Sequence, residues 1–337
     1  MKGSKIRFGI VGFGHIGQRH ATCIINNQQA DLVAVYDILS IDKLNTIELD
    51  HDIFLSSFDD LLKLNLDVIN VCTPNYLHTK MVLDILNTGH HVVVEKPMTL
   101  STQDAQLIID TTKLTKKKVF CVMQNRFSPT IMWLKKIISQ NMLGRVYMTS
   151  IHCFWNRNEN YYLKSGWHGS KEKDGGPLFT QFSHFIDVLY WLFGTPVKIV
   201  PEFLNFKNRK YVEYEDSGIV KFDFSHNMKC VLNYSTIIWN KNFESSITII
   251  GEFGSIKIGG QYMDKIIYCD IKNYILPDIN NDVKCNDYGD YQGSASNHDK
   301  MIDNVINVLL RNQDIHTGAQ DGLRVVEIIE KIYSYRS

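Results

Sequence analysis

The chain has 337 residues, 44% of them apolar, and its 36 basic side chains balance 36 acidic ones. That length exceeds the size at which one hydrophobic core usually stops growing, so two domains are expected. The balanced charge gives no electrostatic basis for binding nucleic acid or an anionic membrane, and no apolar run approaches the ~18 residues of a membrane span.

Residues 6–10 read as a buried strand, and Val11-Gly12-Phe13-Gly14-His15-Ile16-Gly17 follows directly. Gly12, Gly14 and Gly17 have the spacing of a dinucleotide-binding turn. The first permits a tight strand-to-helix turn, the second lets the backbone approach a pyrophosphate, and the third lets the helix pack on the strand. The phosphates would sit on free N–H groups at the helix start, which draws in Phe13, His15 and Ile16. A helix over 18–27 leads to a second buried strand, 32–36, ended by Asp37, about twenty residues beyond the glycines. A carboxylate there accepts both hydroxyls of an adenosine ribose and repels a 2′-phosphate, and residues 38–41 include no Arg or Lys to receive one. NAD is therefore expected over NADP; the plainer reading makes Asp37 a turn residue.

Further strands are predicted at 68–72, 91–94 and 119–122, with helices at 76–87 and 102–113 between them, the pattern of βαβ units and a parallel sheet. Ligands of such sheets lie at the carboxyl ends of the strands. One end gives Cys72-Thr73-Pro74-Asn75 with His78 following. Thr73 and Asn75 suit a ribose or phosphate and Pro74 shapes the loop; equally, Asn75 reads as a helix cap and His78 as a packed first-turn residue. Another end gives Val94-Glu95-Lys96-Pro97, with Glu95 and Lys96 facing the cofactor crevice and Pro97 holding Lys96 extended. A lysine partly desolvated there is suited to act as a base or proton relay. Taken alone, Lys96 serves equally as a strand-end surface charge.

After residue 127 the pattern changes. A helix at 129–140 and one long apolar helix at 178–193 precede β-rich sequence over 197–271, with strands at 220–224, 230–238, 246–251 and 255–258, which predicts one large, mostly antiparallel sheet. Residues 278–297 read as a long ordered loop, and helices at 300–311 and 319–335 as packing back on the first domain. The domains are placed at 1–127 and 128–337. The helix at 178–193 follows Asp174-Gly175-Gly176-Pro177 and carries Thr180, Gln181, His184 and Asp187 along one stripe. A polar stripe on so apolar a helix requires a polar partner, a buried network or a substrate, and the substrate is the favoured reading.

The glycine turn, Thr73-Pro74-Asn75, Glu95-Lys96-Pro97, Asn125-Arg126-Phe127 and the segment from Gly175-Gly176 to His184 and Asp187 together resemble the glucose-fructose oxidoreductase, inositol dehydrogenase and rhizopine catabolism family, over essentially the whole chain. The resemblance implies a Rossmann α/β domain with a doubly wound parallel sheet, then an α+β domain with a large, mostly antiparallel open sheet. It implies NAD as cofactor, Lys96 and His184 as catalytic residues, Asp37 as the ribose acid, and cofactor contacts from Gly12, Gly14, Gly17, Thr73, Pro74, Asn75, His78, Glu95, Gln124 and Arg126. Many polyol dehydrogenases of the family have Asp where this chain has Thr180, so an Asp–His relay does not transfer. Lys96 is then the expected base, with His184 orienting or polarising the reacting hydroxyl.

Three stretches, from Cys153 to Glu159, from Phe179 to Asp187 and from Asp287 to Lys300, resemble bacterial dehydrogenases that oxidise the 3″-hydroxyl of UDP-N-acetylglucosaminuronic acid ahead of 3-amination in surface polysaccharide synthesis. A diphosphate and a uronate need cationic or N–H partners. Those implied are Trp155, Arg157, Asn158, Tyr161, Tyr162 and Lys171, beside Lys164 and Lys173, with Thr180, Gln181 and His184. Residues 288–300 are a candidate for the uracil contact, completed by a neighbouring subunit. A homo-oligomer, dimer or tetramer, is expected, and 2-oxoglutarate is a candidate hydride acceptor. Rival readings are a dehydrogenase or reductase of another nucleotide-linked sugar or a free polyol, and a non-catalytic NAD-binding protein. The seven cysteines are odd in number, widely spaced and without a Cys-x-x-Cys, and the first strand begins too early for a secretory signal. A cytoplasmic protein with reduced thiols and no metal is expected.

Overall fold

The computed structural model describes residues 5–40, 44, 47, 49–279, 285–287 and 292–336. Its contacts divide the chain into two compact units, Met1–Val122 with His298–Val326, and Met123–Asn297 with Glu327–Ser337.

The first unit is built on strands β1 (Ile6–Val11), β2 (Ala30–Tyr36), β3 (Phe54–Leu55), β4 (Val68–Val71), β5 (His91–Val94) and β6 (Val119–Cys121). They form one sheet in the order β3-β2-β1-β4-β5-β6, and every pair is parallel. All of β4 and most of β5 are buried, which is why they appear as unbroken apolar runs. Helices α1 (His15–Ile25), α2 (Phe58–Lys63), α3 (His78–Asn87) and α4 (Thr102–Thr115) connect the strands. The Ser101 hydroxyl caps α4 by accepting the Asp104 N–H, and Lys116, at φ 58°, ends it in the left-handed region. From the far end of the chain, α9 (His298–Arg311) returns to α1, where Asn27 bonds Asp303 and Arg311 bonds Gln29. The N–H of Cys121 donates to the carbonyl of Thr317, ahead of α10 (Ala319–Tyr333).

The second unit begins with α5 (Pro129–Ser139) and β7 (Val146–Phe154), then α6 (Glu159–Leu163), α7 (Pro177–Thr180) and α8 (Ser183–Phe193). Strands β8 (Lys198–Leu204), β9 (Ser217–Asp223), β10 (Lys229–Ser235), β11 (Glu244–Gly251), β12 (Gly254–Gly259) and β13 (Lys265–Ile271) complete a seven-stranded sheet, ordered β13-β12-β11-β7-β10-β9-β8. It is antiparallel except for the β7–β10 pair. Phe182 and Phe185 pack against Trp155, and Phe182 also against Tyr234 of β10.

Two local expectations change. The helix expected over 178–193 breaks at Gln181 and Phe182, where both N–H groups share the Pro177 carbonyl and Phe182 leaves helical geometry at ψ 5°. The widened turn seats the Phe182 ring fully inside the core. The segment expected as a loop over 278–297 contains a two-stranded antiparallel ribbon, β14 (Cys285–Asp287) and β15 (Gln292–Ala295). Tyr288, Gly289 and Tyr291 of the expected uracil loop lie outside the described residues.

Candidate active site

In the first unit the dinucleotide turn joins β1 to α1. Gly12 sits at φ 86°, and a Cβ there would lie 2.7 Å from the Cys72 carbonyl oxygen. A Cβ on Gly17 would lie 2.1 Å from the Gly12 carbonyl, whereas one on Gly14 would meet nothing within 4 Å. The protein's own backbone thus demands the outer two glycines, while the middle one faces open space of the kind a pyrophosphate needs. Helix α1 follows Gly14 with no side-chain cap and no acidic residue in its first turn, so the positive end of its dipole suits an anion. Gly14 and His15 are exposed and Ile16 is half-buried.

Asp37, just past β2, accepts the N–H of Phe13 at 2.6 Å through Oδ2 and that of Leu39 at 2.8 Å through Oδ1. It latches the turn to the neighbouring strand, and each oxygen keeps a lone pair for a ribose hydroxyl. These groups fit NAD.

The loops after β4 and β5 are tied together by His78. Its Nδ1 lies 2.7 Å from the Pro97 carbonyl and its Nε2 2.9 Å from that of Thr73. Burial pushes the imidazole pKa down, partly opposed by these carbonyls. Asn75 is buried at the start of the short turn Asn75–Leu77, Pro74 precedes it, and the Thr73 hydroxyl reaches Met81 sulfur at 3.5 Å. Glu95 is buried, with Oε1 3.0 Å from His20 Nε2 and 3.3 Å from His298 Nε2. Burial pushes its carboxyl up, but the two imidazoles outweigh it and hold the pKa well below the usual carboxylate range. Lys96, half-buried, donates its N–H to Glu95 Oε2 at 3.2 Å and precedes a cis peptide to Pro97. His20, Glu95 and His298 bring three potential metal-ligand atoms within 4.8 Å of one another, a grouping that nothing in the sequence spacing signals.

In the second unit the polar stripe finds protein partners. Gln124 Nε2 lies 3.3 Å from His184 Nε2, and Arg126 forms a two-pronged ion pair with Asp187. Both residues belong to the short turn Gln124–Phe127, and all four side chains are buried. The Thr180 hydroxyl donates to the Asp174 carboxylate, which also accepts the Gly169 N–H at 2.6 Å. An acid from the preceding turn thus reaches the position where the sequence lacks one.

Gln181 binds Arg157 Nε at 2.6 Å through its oxygen and the Tyr161 hydroxyl through its amide. The Arg157 guanidinium lies 4.9 Å from the Trp155 ring centre and 5.2 Å from that of Tyr161, and it also donates to the Asn156 carbonyl at 2.6 Å. Trp155 itself donates to Ser245. The structure therefore gathers Trp155, Arg157, Tyr161 and Gln181 into one buried cluster. Asn158 caps α6 by accepting the Tyr161 N–H, and Tyr162 packs under Arg209. Lys171 is exposed, its N–H bonded to Glu213.

Residues 6–123 match the family model described as "Oxidoreductase family, NAD-binding Rossmann fold", and residues 135–336 match its "C-terminal alpha/beta domain". The chain belongs to this GFO_IDH_MocA oxidoreductase family. It is therefore an NAD-binding oxidoreductase whose first unit carries the cofactor fold of the family. Among solved members, the WlbA dehydrogenase of Bordetella pertussis in complex with NADH and UDP-GlcNAcA is 29% identical, with a TM-score of 0.86 over 99% of this chain and 96% of that one. The WlbA dehydrogenase of Chromobacterium violaceum, with the same two ligands, is also 29% identical at a TM-score of 0.86, covering 99% and 94%. A curated family member, glucose-6-phosphate 3-dehydrogenase of Bacillus subtilis, is 28% identical over 189 residues, and the match spans 56% of this chain and 53% of that protein. Among the described residues no helix is long and apolar enough to cross a membrane.

Proposed function

We propose that the chain oxidises the 3″-hydroxyl of UDP-N-acetyl-D-glucosaminuronic acid to the 3-keto sugar, with NAD as hydride acceptor, in surface polysaccharide synthesis. The observation that carries this reading is a likeness over nearly the full length of two dehydrogenases bound to NADH and UDP-GlcNAcA.

Bound nicotinamide supplies the hydride acceptor. The protein does the rest. The Gly12, Gly14 and Gly17 turn holds the pyrophosphate, and Asp37 the adenosine ribose. Thr73, Pro74, Asn75, His78 and Glu95 shape the cofactor loops, and Gln124 and Arg126 complete the cofactor-binding set. Lys96 takes the hydroxyl proton as the carbon gives up its hydride, so the substrate loses two hydrogens in all. His184, its Nε2 contacted by the Gln124 amide, orients the hydroxyl. Arg157, stacked on Trp155 and Tyr161 and backed by Gln181, supplies positive charge for an anionic substrate. Asn158, Tyr162, Lys171 and Thr180 complete the substrate set.

The enzyme works in the cytoplasm as a dimer or tetramer. Trp239, Phe206 and Phe243, at 92%, 68% and 68% exposure, are apolar surface that a second copy would cover. The hydride leaves either with NADH or to 2-oxoglutarate.

The test is mass spectrometry of the sugar nucleotide after incubating the purified protein with NAD and UDP-N-acetylglucosaminuronic acid, with and without 2-oxoglutarate. UDP-N-acetylglucosamine and myo-inositol run alongside. Loss of two hydrogens from the uronate alone is the expected result, abolished in Lys96→Ala. Oxidation of myo-inositol instead would move the assignment to a free polyol, and NAD binding with no oxidation of any substrate to a non-catalytic role.

A further inference from the structure

The stretch Asn297-His298-Asp299-Lys300 has no task in the reaction above, yet it places His298, 1% exposed, at the first position of α9. Both ring nitrogens of His298 are buried without a hydrogen-bond partner among the described residues, although Nε2 stands 3.3 Å from Oε1 of Glu95. His20, on α1 and fully buried, brings its own Nε2 to 3.0 Å from the same oxygen. Two imidazoles from helices far apart in the chain thus converge on one carboxylate oxygen just past β5. The three atoms, each of a metal-ligand type, lie within 4.8 Å of one another.

Hydrogen bonds account for only part of this. His20 can donate to the carboxylate, but His298, in contact with a buried anion, makes no hydrogen bond to it. A buried nitrogen left unpaired beside a buried charge is unfavourable for both groups. Asn70, on β4, leaves a second loose end. Its amide nitrogen lies 2.9 Å from Nδ1 of His20, while its oxygen Oδ1 is buried with no partner among the described residues. Turned by half a rotation, the amide presents Oδ1 to that nitrogen, accepts a proton from Nδ1 and leaves Nε2 of His20 as a bare lone pair beside Glu95. Two imidazole lone pairs and a carboxylate oxygen then meet, and a cation satisfies all three.

Two imidazole nitrogens and one carboxylate oxygen suit an ion of intermediate softness such as zinc. Around a tetrahedral zinc, neighbouring nitrogen and oxygen ligands stand about 3.4 Å apart. The two spacings to Glu95, 3.0 and 3.3 Å, are close to that. A metal-bound histidine gives its other N–H to an acceptor, the part Asn70 plays for His20. The second oxygen of Glu95 accepts the Lys96 N–H, which orients the carboxylate.

We propose that His20, Glu95 and His298 form a buried site for one divalent cation of zinc's class, which staples α1 and α9 to the end of β5. A water takes the fourth place. All three side chains are buried, so the ion's role is structural: it ties the returning segment that begins at His298 to the parallel sheet of the first unit.

The test measures metal rather than catalysis. The untagged full chain is expressed in zinc-supplemented medium, dialysed against metal-free buffer and assayed for metal by mass spectrometry. About one zinc per chain is expected, with a melting temperature above that of protein made in zinc-depleted medium. His298→Gln and Glu95→Gln are expected to retain less than about a tenth of an equivalent, and Asn70→Leu to yield its zinc to at least about tenfold less competing chelator. Exposed His226→Gln serves as the control and is expected to keep the wild-type zinc content. Circular dichroism establishes that each variant folds. In crystals of the wild type, an anomalous difference map at the zinc edge is expected to show a peak between the three side chains; should the variants not fold, that map decides. Zinc-free wild type from supplemented medium, undiminished zinc in folded His298→Gln and Glu95→Gln, or an anomalous peak at surface histidines only would each overturn the proposal.

Discussion

Arg126 grips Asp187 through two guanidinium nitrogens, Nε at 2.9 Å from Oδ2 and Nη2 at 2.5 Å from Oδ1, with both side chains buried. The guanidinium also lies 5.3 Å from the ring centre of Trp191, one helical turn beyond Asp187. The pair fixes the turn that carries Gln124 to the helix that carries His184. Removing one partner strands a buried charge, so Asp187→Ala is expected to cost about 3–5 kcal/mol in urea unfolding. Arg126→Met combined with Asp187→Leu is expected to cost less than either single loss, because no charge is left behind.

The dinucleotide turn separates folding from binding. Gly14→Ala adds a methyl to open space and is expected to cost under about 1 kcal/mol of stability, the scale of a changed helix cap. The same methyl occupies room that a pyrophosphate needs, and NADH affinity measured by calorimetry should fall at least about tenfold, or 1.4 kcal/mol. Gly17→Ala drives a methyl into the Gly12 carbonyl and should lose stability and cofactor binding together.

Asp37→Ser removes the carboxylate that repels a 2′-phosphate and that accepts the Phe13 and Leu39 N–H groups. The ratio of NAD to NADP affinity is expected to fall at least about tenfold, with roughly 1 kcal/mol of stability lost through the weakened latch. Paired binding titrations with the two cofactors check the ratio.

The start of β5 carries a pH response. His91 Nδ1 accepts the Lys118 N–H at 2.9 Å, and burial, with Lys117 and Lys118 nearby, lowers its pKa from 6.5 to about 4. The folded value lies below the unfolded one, so the unfolded chain takes up the proton first. The stabilisation is complete above pH 6.5 and is lost as pH falls towards 4. Solvent reaches part of the ring, which limits the loss to about 1–2 kcal/mol. His91→Asn offers an oxygen to the same N–H without titrating, and its urea midpoint should change less than the wild type's between pH 7 and pH 4.5.

Much of the first unit was legible because its chemistry is local. Val68–Val71 and His91–Val94 are continuous apolar runs, the three glycines stand at fixed spacing, and Asp37 and Lys96 sit where such strands end. Strand β7 was hidden although it lies at the centre of the second sheet. Tyr147 and Met148 are exposed while Thr149 is buried, so its alternation runs against residue type. The break at Gln181 was hidden because it serves the Phe182 ring, whose partners Trp155 and Tyr234 come from elsewhere in the chain. Arg126 and Asp187 stand 61 positions apart, and no periodicity links them. The same is true of His298 and Glu95, and of the Asp174 side chain that reaches Thr180.

The first unit borrows His298–Val326 from beyond the second, and this sets an order of events during synthesis. A nascent chain that has reached Val122 holds all six parallel strands, yet α1 lacks its partner α9, His20 faces no His298, and the Cys121 N–H has no Thr317 carbonyl. The unit that emerges first from the ribosome is the one that must wait, so it completes its burial only after the whole of the seven-stranded sheet has been translated.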